Sequence, residues 1–190
     1  SEVQDDTFPF DTGNQIWGSA AAADMDGDGL MDFVITSKSK HLYVFDSNGL
    51  KVDYNANKYL MGTPAIGNLD DDDDLEVVIG GYSSPASSSP IFAINPDGSD
   101  VSGFPFVLGE KTKAGVALAD FNGNGKDDIV VGTDDDNIYV IYDDGSMAPG
   151  FPYATGDKIQ AAPTIMDFED EKIIFVGSND GSMHAINSDG

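Results

Sequence analysis

The sequence predicts an all-β fold made of four tandem copies of one unit. Short apolar triplets recur about every 50 residues, an acidic segment precedes each triplet, and a second apolar run that ends at a Gly-containing turn follows it. Turn residues bound each triplet within a few positions, so the triplets are strands and not helices. Units of this length with several short strands are typical of the blades of a β-propeller. The triplets are Phe33-Val34-Ile35, Val77-Val78-Ile79, Ile129-Val130-Val131 and Ile173-Ile174-Phe175.

Each unit is predicted to contain four antiparallel strands. A strand of small residues leads into the acidic loop, the triplet forms the second strand, and the next apolar run forms the third. A tight Asn-Gly or Asp-Gly turn, which permits positive φ, joins the third strand to the fourth. The third strands are predicted at His41 to Phe45, Ile91 to Ile94, Ile138 to Ile141 and Met183 to Ile186.

The fourth strand is predicted at the outer edge of each blade, where a proline is tolerated. Gly103-Phe104-Pro105-Phe106 and Gly150-Phe151-Pro152-Tyr153 carry this pattern, and Thr7-Phe8-Pro9-Phe10 repeats it near the N-terminus. We therefore expect one domain, residues 1–190, in which the N-terminal strand completes the last of four four-stranded blades. The blades are expected at about 16–58, 59–109, 110–156 and 157–190 plus 1–12. The alternative is that the chain forms half of an eight-bladed propeller.

Two of the acidic loops place oxygen-bearing side chains at positions 1, 3, 5 and 9, with glycine between them. Alternate oxygens can converge on one cation while glycine permits the sharp turn. An EF-hand would require a glutamate at position 12 and helices on either side, whereas Ile35 and Val131 stand at that position between strands. The pattern therefore indicates a different kind of calcium loop. The first set is Asp24, Asp26, Asp28 and Asp32, and the third is Asp120, Asn122, Asn124 and Asp128.

The other two acidic segments depart from this pattern to different degrees. The second keeps the ligand spacing with Asn68, Asp70, Asp72 and Glu76, although Asp73 stands where glycine is expected. In the fourth, the run from Asp167 to Glu171 enters its strand too soon to wrap an ion, so we expect no metal there. Close carboxylates repel one another unless a cation neutralises them. The predicted cofactor is therefore Ca²⁺, with two to three ions bound.

The repeated order of strand, Asp-x-Asp-x-Asp-Gly-x-x-Asp loop and strand resembles the FG-GAP/VCBS class of calcium-binding propeller repeats. These repeats are found in integrin α-subunits and in many secreted bacterial proteins. The resemblance covers essentially the whole chain and implies structural Ca²⁺ in loops on one propeller face, together with an extracellular or cell-surface location. The family usually has seven or eight blades, whereas four repeats are present here. Half of an eight-bladed homodimer, a small closed ring and a piece of a longer propeller all remain open.

The composition excludes several classes of function. The chain has 34 Asp and Glu residues against nine lysines and arginines, so its net charge of -25 would repel nucleic acid. It has no cysteine, which excludes disulfides and thiolate chemistry. No apolar run approaches the roughly 20 residues of a membrane span.

No constellation of residues suited to catalysis is predicted. His184 occupies the repeat position of Tyr43, Phe92 and Tyr139, which indicates a packing role, and His41 aligns with Asn137 at a strand start. Nearly all close pairs of carboxylates belong to the calcium loops. We therefore predict that the chain is not an enzyme. The alternative of a fragment of a secreted polysaccharide lyase rests on the resemblance alone.

The candidate ligand-binding residues lie at the strand ends opposite to the calcium loops. Most lysines of this acidic chain fall in the loops predicted there. We expect an extracellular binding or adhesion module for a glycan or a protein partner, with a structural spacer as a further alternative. The predicted ligand-binding residues are Trp17, Lys38, Lys40, Tyr82 and Lys113.

Overall fold

The structure, a computed structural model that describes residues 8–168 and 171–190, contains four antiparallel sheets that follow one another along the chain. We call them blades 1 to 4. Blade 1 contains β1 (Ala21–Ala23), β2 (Asp32–Thr36), β3 (His41–Asp46) and β4 (Gly49–Asn55). Blade 2 contains β5 (Tyr59–Leu60), β6 (Ala65–Gly67), β7 (Glu76–Tyr82), β8 (Pro90–Ile94) and β9 (Phe106–Val107), with a 3₁₀ turn at Ala86–Ser88. Blade 3 contains β10 (Val116–Ala119), β11 (Asp128–Gly132), β12 (Asn137–Ile141) and β13 (Tyr153–Ala154), and blade 4 contains β14 (Thr164–Phe168), β15 (Glu171–Gly177) and β16 (Met183–Asn187).

The second strand of each blade lies in the middle of its sheet. It pairs with the first strand on one side and the third on the other, as β11 does with β10 and β12. In blades 2 and 3 this strand is buried almost throughout, which explains its continuous β-branched sequence. The four first strands stand side by side, with β1 next to β6, β6 next to β10 and β10 next to β14.

Successive blades pack face to face. Because side chains alternate along a strand, each sheet has one face toward the preceding blade, the leading face, and one toward the following blade, the trailing face. Between blades 2 and 3, Val78 and Ile91 of the trailing face share a core with Ile129 and Tyr139 of the leading face. Equivalent cores fill the spaces between blades 1 and 2 and between blades 3 and 4.

In blades 3 and 4, one residue in the segment before the first strand fills a slot on the preceding blade. Thr112 lies over Gly80, where an added Cβ would come within 2.0 Å of Thr112 Cγ2. Ile159 lies over Gly132 in the same way, and an added Cβ at Gly132 would come within 2.2 Å of Ile159 Cγ2. Both residues are fully buried, as is Leu60 at the equivalent position of blade 2. We call these the plug residues, and they fix the spacing of neighbouring blades.

Blade 4 differs from the predicted plan of four strands. Within the described residues its sheet has three strands, β14, β15 and β16. The predicted N-terminal strand falls partly on residues 1–7, which lie outside the described residues, and residues 8–12 form no strand. The rings of Phe8 and Phe10 instead lie between 5.0 and 5.6 Å from aromatic rings on the leading face of blade 1.

The register of blade 4 also differs from the predicted alignment by one residue. Ile174 and Val176 face blade 3, whereas the predicted triplet begins at Ile173. β14 and β15 pair as far as Phe168 and Glu171, so the connection between them is shorter than the other acidic loops and the strand is shifted relative to the acidic segment.

Blade 2 differs because its inner strand is divided. β5 pairs with the end of β7 and β6 pairs with its start, so the long β7 supports both.

Candidate calcium loops and ligand face

The first acidic loop gathers its carboxylates around one point. Oxygens of Asp24, Asp26 and Asp28 lie within 4.8 Å of one another. The Gly29 amide donates to Asp24 Oδ2 at 2.9 Å, and Gly29 has the positive φ of 85° that glycine adopts readily. The backbone conformation of the loop and this hydrogen bond therefore bring the three carboxylates together.

A lysine accompanies the first loop. The Lys51 ammonium donates to Asp26 Oδ2 at 2.7 Å. This hydrogen bond holds the pKa of Asp26 below its usual range. Lys51 thus offsets part of the negative charge of the loop.

The second loop gathers its acids in the same way. Oxygens of Asp70, Asp72 and Glu76 lie within 4.8 Å of one another. The Asp72 amide donates to Asp70 Oδ1 at 3.0 Å, and the Asp74 amide donates to Asp72 Oδ1 at 2.9 Å. The turn therefore forms although Asp73 replaces glycine.

The third loop combines carboxylate and amide side chains. Asp120 accepts hydrogen bonds from the amides of Gly123 and Gly125 at 2.6 and 2.8 Å. Asn124 Nδ2 donates to Asp143 Oδ1 at 2.8 Å, which brings a further carboxylate to the loop. The sequence did not indicate Asp143, because it follows β12 and belongs to a different turn.

The ninth position of each loop is a buried acid. Asp32, Glu76 and Asp128 begin the second strands of their blades, and each has one oxygen that accepts a backbone amide at 2.6 to 3.1 Å. Burial raises the pKa of Glu76 to about 7 and that of Asp128 to about 6, and it also raises the pKa of Asp32. A bound cation would favour the ionised form of all three.

Three of the predicted ligand oxygens are buried without a hydrogen-bond partner. They are Asp24 Oδ1, Asn68 Oδ1 and Glu76 Oε1. Leaving such an atom without a partner costs about 1 to 3 kcal/mol. A hard cation that takes several oxygen ligands would satisfy these atoms, so the residues of the first two loops fit Ca²⁺.

The described residues of the fourth acidic segment belong to two paired strands. β14 and β15 remain paired as far as Phe168 and Glu171, and residues 169–170 between them lie outside the described residues. Lys172 Nζ lies 2.6 Å from Asp167 Oδ1.

The predicted ligand-binding residues lie at the opposite ends of the same strands. β7 begins at Glu76 of the second acidic loop and ends at Tyr82, so the six residue steps between the two residues span about 20 Å. Four of the five predicted residues line one surface depression of about 440 Å³, which we call the lysine–aromatic depression. Its lining consists of Asn14, Trp17, Lys38, Tyr59, Met61, Tyr82 and Lys113.

Lysines lie against aromatic rings in and beside this depression. The ammonium of Lys38 is 4.4 Å from the centre of the Trp17 ring, and those of Lys111 and Lys113 are 5.0 and 5.3 Å from the Tyr82 ring. Trp17 is 58% exposed. The depression therefore offers cations next to an accessible aromatic surface.

Two of these lysines have acceptors in the protein. Lys113 Nζ lies 2.7 Å from Asp134 Oδ2, and this contact raises the pKa of Lys113. Lys38 Nζ donates to Gln15 Oε1 at 3.0 Å, and the Trp17 indole N–H donates to the same oxygen at 3.1 Å. These contacts hold the lysine and tryptophan side chains in place.

Lys40, the fifth predicted residue, lies in an adjoining depression of about 310 Å³. Its ammonium is 5.6 Å from the ring of Tyr59, which lines both depressions. Sequence reasoning missed Tyr59, because it lies in the two-residue strand β5 that only the division of the inner strand reveals. Its position opposite Tyr82 in the β5–β7 ladder places the two tyrosines together.

The two histidines make local contacts. His184 Nε2 lies 2.9 Å from Asp180 Oδ2 and its ring packs edge-on against Tyr153. The Gly156 amide and His184 hold the pKa of Asp180 below its usual range. His41 bonds to Asp53 and stacks on Tyr43.

Among known proteins, the chain resembles several solved structures in its fold. No protein-family model matches the chain, and no curated protein matches it. The solved structure of BBS1N in complex with ARL6DN, soaked with lead, is 14% identical over 93% of this chain and 52% of that chain, with a TM-score of 0.68. The computationally designed Ika4 protein is 15% identical over 94% of both chains, with a TM-score of 0.60. The Vibrio cholerae biofilm matrix protein Bap1 is 18% identical over 90% of this chain and 27% of that chain, with a TM-score of 0.62.

These likenesses concern the fold alone. The chain spans about half of the BBS1 chain and about a quarter of Bap1. Together with the four antiparallel sheets they confirm the predicted class, an all-β fold of the β-propeller type. Among the described residues, no helix is long and apolar enough to cross a membrane.

Proposed function

We propose that the chain is a calcium-stabilised extracellular β-propeller module that binds an anionic glycan and does not catalyse a reaction. The observation that carries the binding proposal is the lysine–aromatic depression. Four of the predicted ligand-binding residues line this depression. Six of the nine lysines belong to the loops at this end of the blades. Such a concentration of cations on a chain of net charge -25 favours an acidic ligand.

The calcium proposal is supported by the geometry of the loops. Two loops bring three carboxylates within reach of one ion, and three predicted ligand oxygens are buried without partners. The third loop contributes Asp120, Asn122, Asn124 and Asp128. Its lower charge is typical of weaker sites, which fit the higher calcium concentrations found outside cells.

Calcium is expected to raise the melting temperature. Ions that bind only the folded chain stabilise it by mass action, so saturating three sites should raise Tm by at least about 10 °C relative to EDTA. Differential scanning calorimetry measures the shift, and calorimetric titration gives the number of ions. Asp26→Ala should remove one ion, whereas Asp135→Ala, an exposed aspartate at the opposite strand ends, should remove none. Equal Tm values with Ca²⁺ and with EDTA would refute the calcium proposal.

The ligand class follows from the chemistry of the depression. An aromatic ring such as Trp17 can pack against the apolar face of a sugar, while Lys38 and Lys113 can meet carboxylate or sulfate groups. Contacts of this kind weaken as salt rises, because exposed charges are screened over about 10 Å at 0.1 M. An acidic protein segment would meet the same lysines without stacking a sugar on Trp17.

Mutations on the two sides of the blades distinguish the sites. Trp17→Ala and Lys113→Ala should each weaken binding to a sulfated or uronic-acid polysaccharide by about tenfold, because each removes a cation–π or charge contact. Lys172→Ala is the matched control, since Lys172 lies beside the fourth acidic segment at the other strand ends. Isothermal titration with acidic and neutral polysaccharides, together with thermal melts, provides the measurement. Loss of binding only in Asp120→Ala would place the ligand at the calcium loops and contradict this assignment.

A further inference from the structure

The trailing face of blade 4 is apolar and exposed. Met166, Phe175 and Met183 belong to this face, because β14 to β16 pair in register and side chains alternate. Met166 and Met183 are 51% and 71% exposed, whereas the equivalent face of blade 3, with Val130 and Val140, is fully buried against blade 4. Blade 4 thus presents the same kind of surface as the other blades without a following blade against it.

The leading face of blade 1 shows the complementary exposure. Ile16 holds the position of the plug residues but is 47% exposed, whereas Leu60, Thr112 and Ile159 are fully buried. Phe8 packs on blade 1 as Phe104 packs on blade 3, yet Phe8 is 46% exposed and Phe104 only 8%. What differs is the sheet of a preceding blade, which covers Phe104 and does not cover Phe8.

Blade 4 also carries the slot that a plug residue would fill. Gly177 ends β15 as Gly132 ends β11. An added Cβ at Gly132 would collide with Ile159, whereas nothing lies within 4 Å of one at Gly177. An open slot at one end of the chain and an exposed plug at the other are therefore complementary.

We infer that these two surfaces meet between two copies of this chain, which close an eight-bladed ring around a two-fold axis. Blade 4 of each copy packs on blade 1 of the other, with Ile16 over Gly177 and the Phe8-Pro9-Phe10 segment beside β16. This arrangement repeats, twice, the packing that the chain already makes at its three internal blade contacts. With a two-fold axis, both exposed surfaces of both copies are buried, and no surface of this kind remains to which further copies could add. The partner is a second copy of this chain, because the exposed faces of blade 4 and blade 1 are of the same kind as the faces that pack together between successive blades within the chain.

The mass in solution tests this inference. Sedimentation equilibrium and native mass spectrometry should give about twice the chain mass of 20.0 kDa, in about 0.15 M NaCl to screen repulsion between the acidic copies. Gly177→Val should raise the dimer dissociation constant at least about tenfold, because the added side chain fills the slot for Ile16. Met183→Lys should do the same by placing a charge on the apolar face. Val107→Lys, at an exposed apolar residue of β9, is the matched control and should leave the mass unchanged.

A cross-linking experiment separates a second copy from closure of the chain on itself. A photo-crosslinking residue at Met183 in a mixture of isotopically light and heavy chains should yield mixed-isotope cross-links to residues 8–45. A monomer across the concentration range, larger open assemblies, or cross-links formed only within one copy would each overturn the inference. Circular dichroism and thermal melts of Gly177→Val and Met183→Lys confirm that both variants remain folded; if Gly177→Val misfolds, Met183→Lys alone decides.

Discussion

At the scale of single residues, the acid at the ninth loop position joins the candidate calcium loop to the blade. Asp32, Glu76 and Asp128 each begin a central strand, and each uses one oxygen to hold the backbone of its own loop. The other oxygen of Glu76 has no partner in the protein. If calcium binds as proposed, its removal would leave the buried Glu76 oxygen without a partner inside the blade and would affect more than a surface loop.

The raised pKa values predict how stability depends on pH when calcium is removed. Glu76 and Asp128 have folded-state pKa values of about 7 and 6, above the ordinary values of free glutamate and aspartate. Between the ordinary pKa values and these raised ones, the folded chain binds more protons than the unfolded chain. Its free energy of unfolding in EDTA therefore falls as pH rises from about 5 to 7. Calcium requires the ionised carboxylates, so the difference in Tm between Ca²⁺ and EDTA should grow over the same range.

Glu76→Gln is the control for this pH dependence. The amide does not ionise, so the variant should lose less stability in EDTA between pH 5 and pH 8 than the natural chain, and it should gain less from Ca²⁺. Thermal melts at four pH values measure both effects. Parallel curves for the two proteins would mean that Glu76 is not responsible and that general repulsion among the acids governs the pH dependence.

At the scale of elements, the plug residues set the distance between blades. Gly132→Ala should destabilise the fold by about 1 to 3 kcal/mol, because the added methyl overlaps Ile159 and blades 3 and 4 must separate. Ile159→Ala creates room at the same place, so the cost of the two changes together should be less than their sum. Urea unfolding of the two single variants and the double variant measures the coupling. Strict additivity would show that Gly132 and Ile159 do not determine the blade spacing.

The sequence predicted the strands well where both faces of a strand are buried. The triplets at residues 77–79 and 129–131 lie within β7 and β11 as expected, because a continuous β-branched run between turns has few other solutions. The acidic loops were also predictable locally, since the predicted ligands of each loop come from nine consecutive residues.

The remaining features depend on contacts that are distant in sequence. The shift of blade 4 by one residue arises because a short hairpin replaces a loop, and only packing against blade 3 reveals that Ile174 and Val176 face inward. Asp143 and Tyr59 join their sites through the neighbouring turn and through strand pairing, respectively. A repeat alignment compares residue types at equivalent positions, and it does not show which of these residues contact one another.

At the scale of the whole molecule, the blades separate two kinds of chemistry. Oxygen ligands stand at the start of the second strands and the lysine–aromatic contacts stand at their ends, about 20 Å away. Because the first strands of the blades stand side by side, the three candidate calcium loops lie on one side of the blades and the depression lies on the other. The fold thus keeps the acidic loops, the proposed calcium sites, apart from the proposed ligand.

The position of the depression at the strand ends has a consequence for avidity. In the proposed dimer the two-fold axis runs along the centre of the eight-bladed ring, so both depressions would open on the same side. A long repeating polymer could then engage one depression and reach the second at high effective concentration, whereas a short oligosaccharide could engage only one. Linked sites of this kind can exceed the affinity of a single site by about 10² to 10⁴ without any new contact. The dimer would then bind long polymers more tightly than short ones of the same charge.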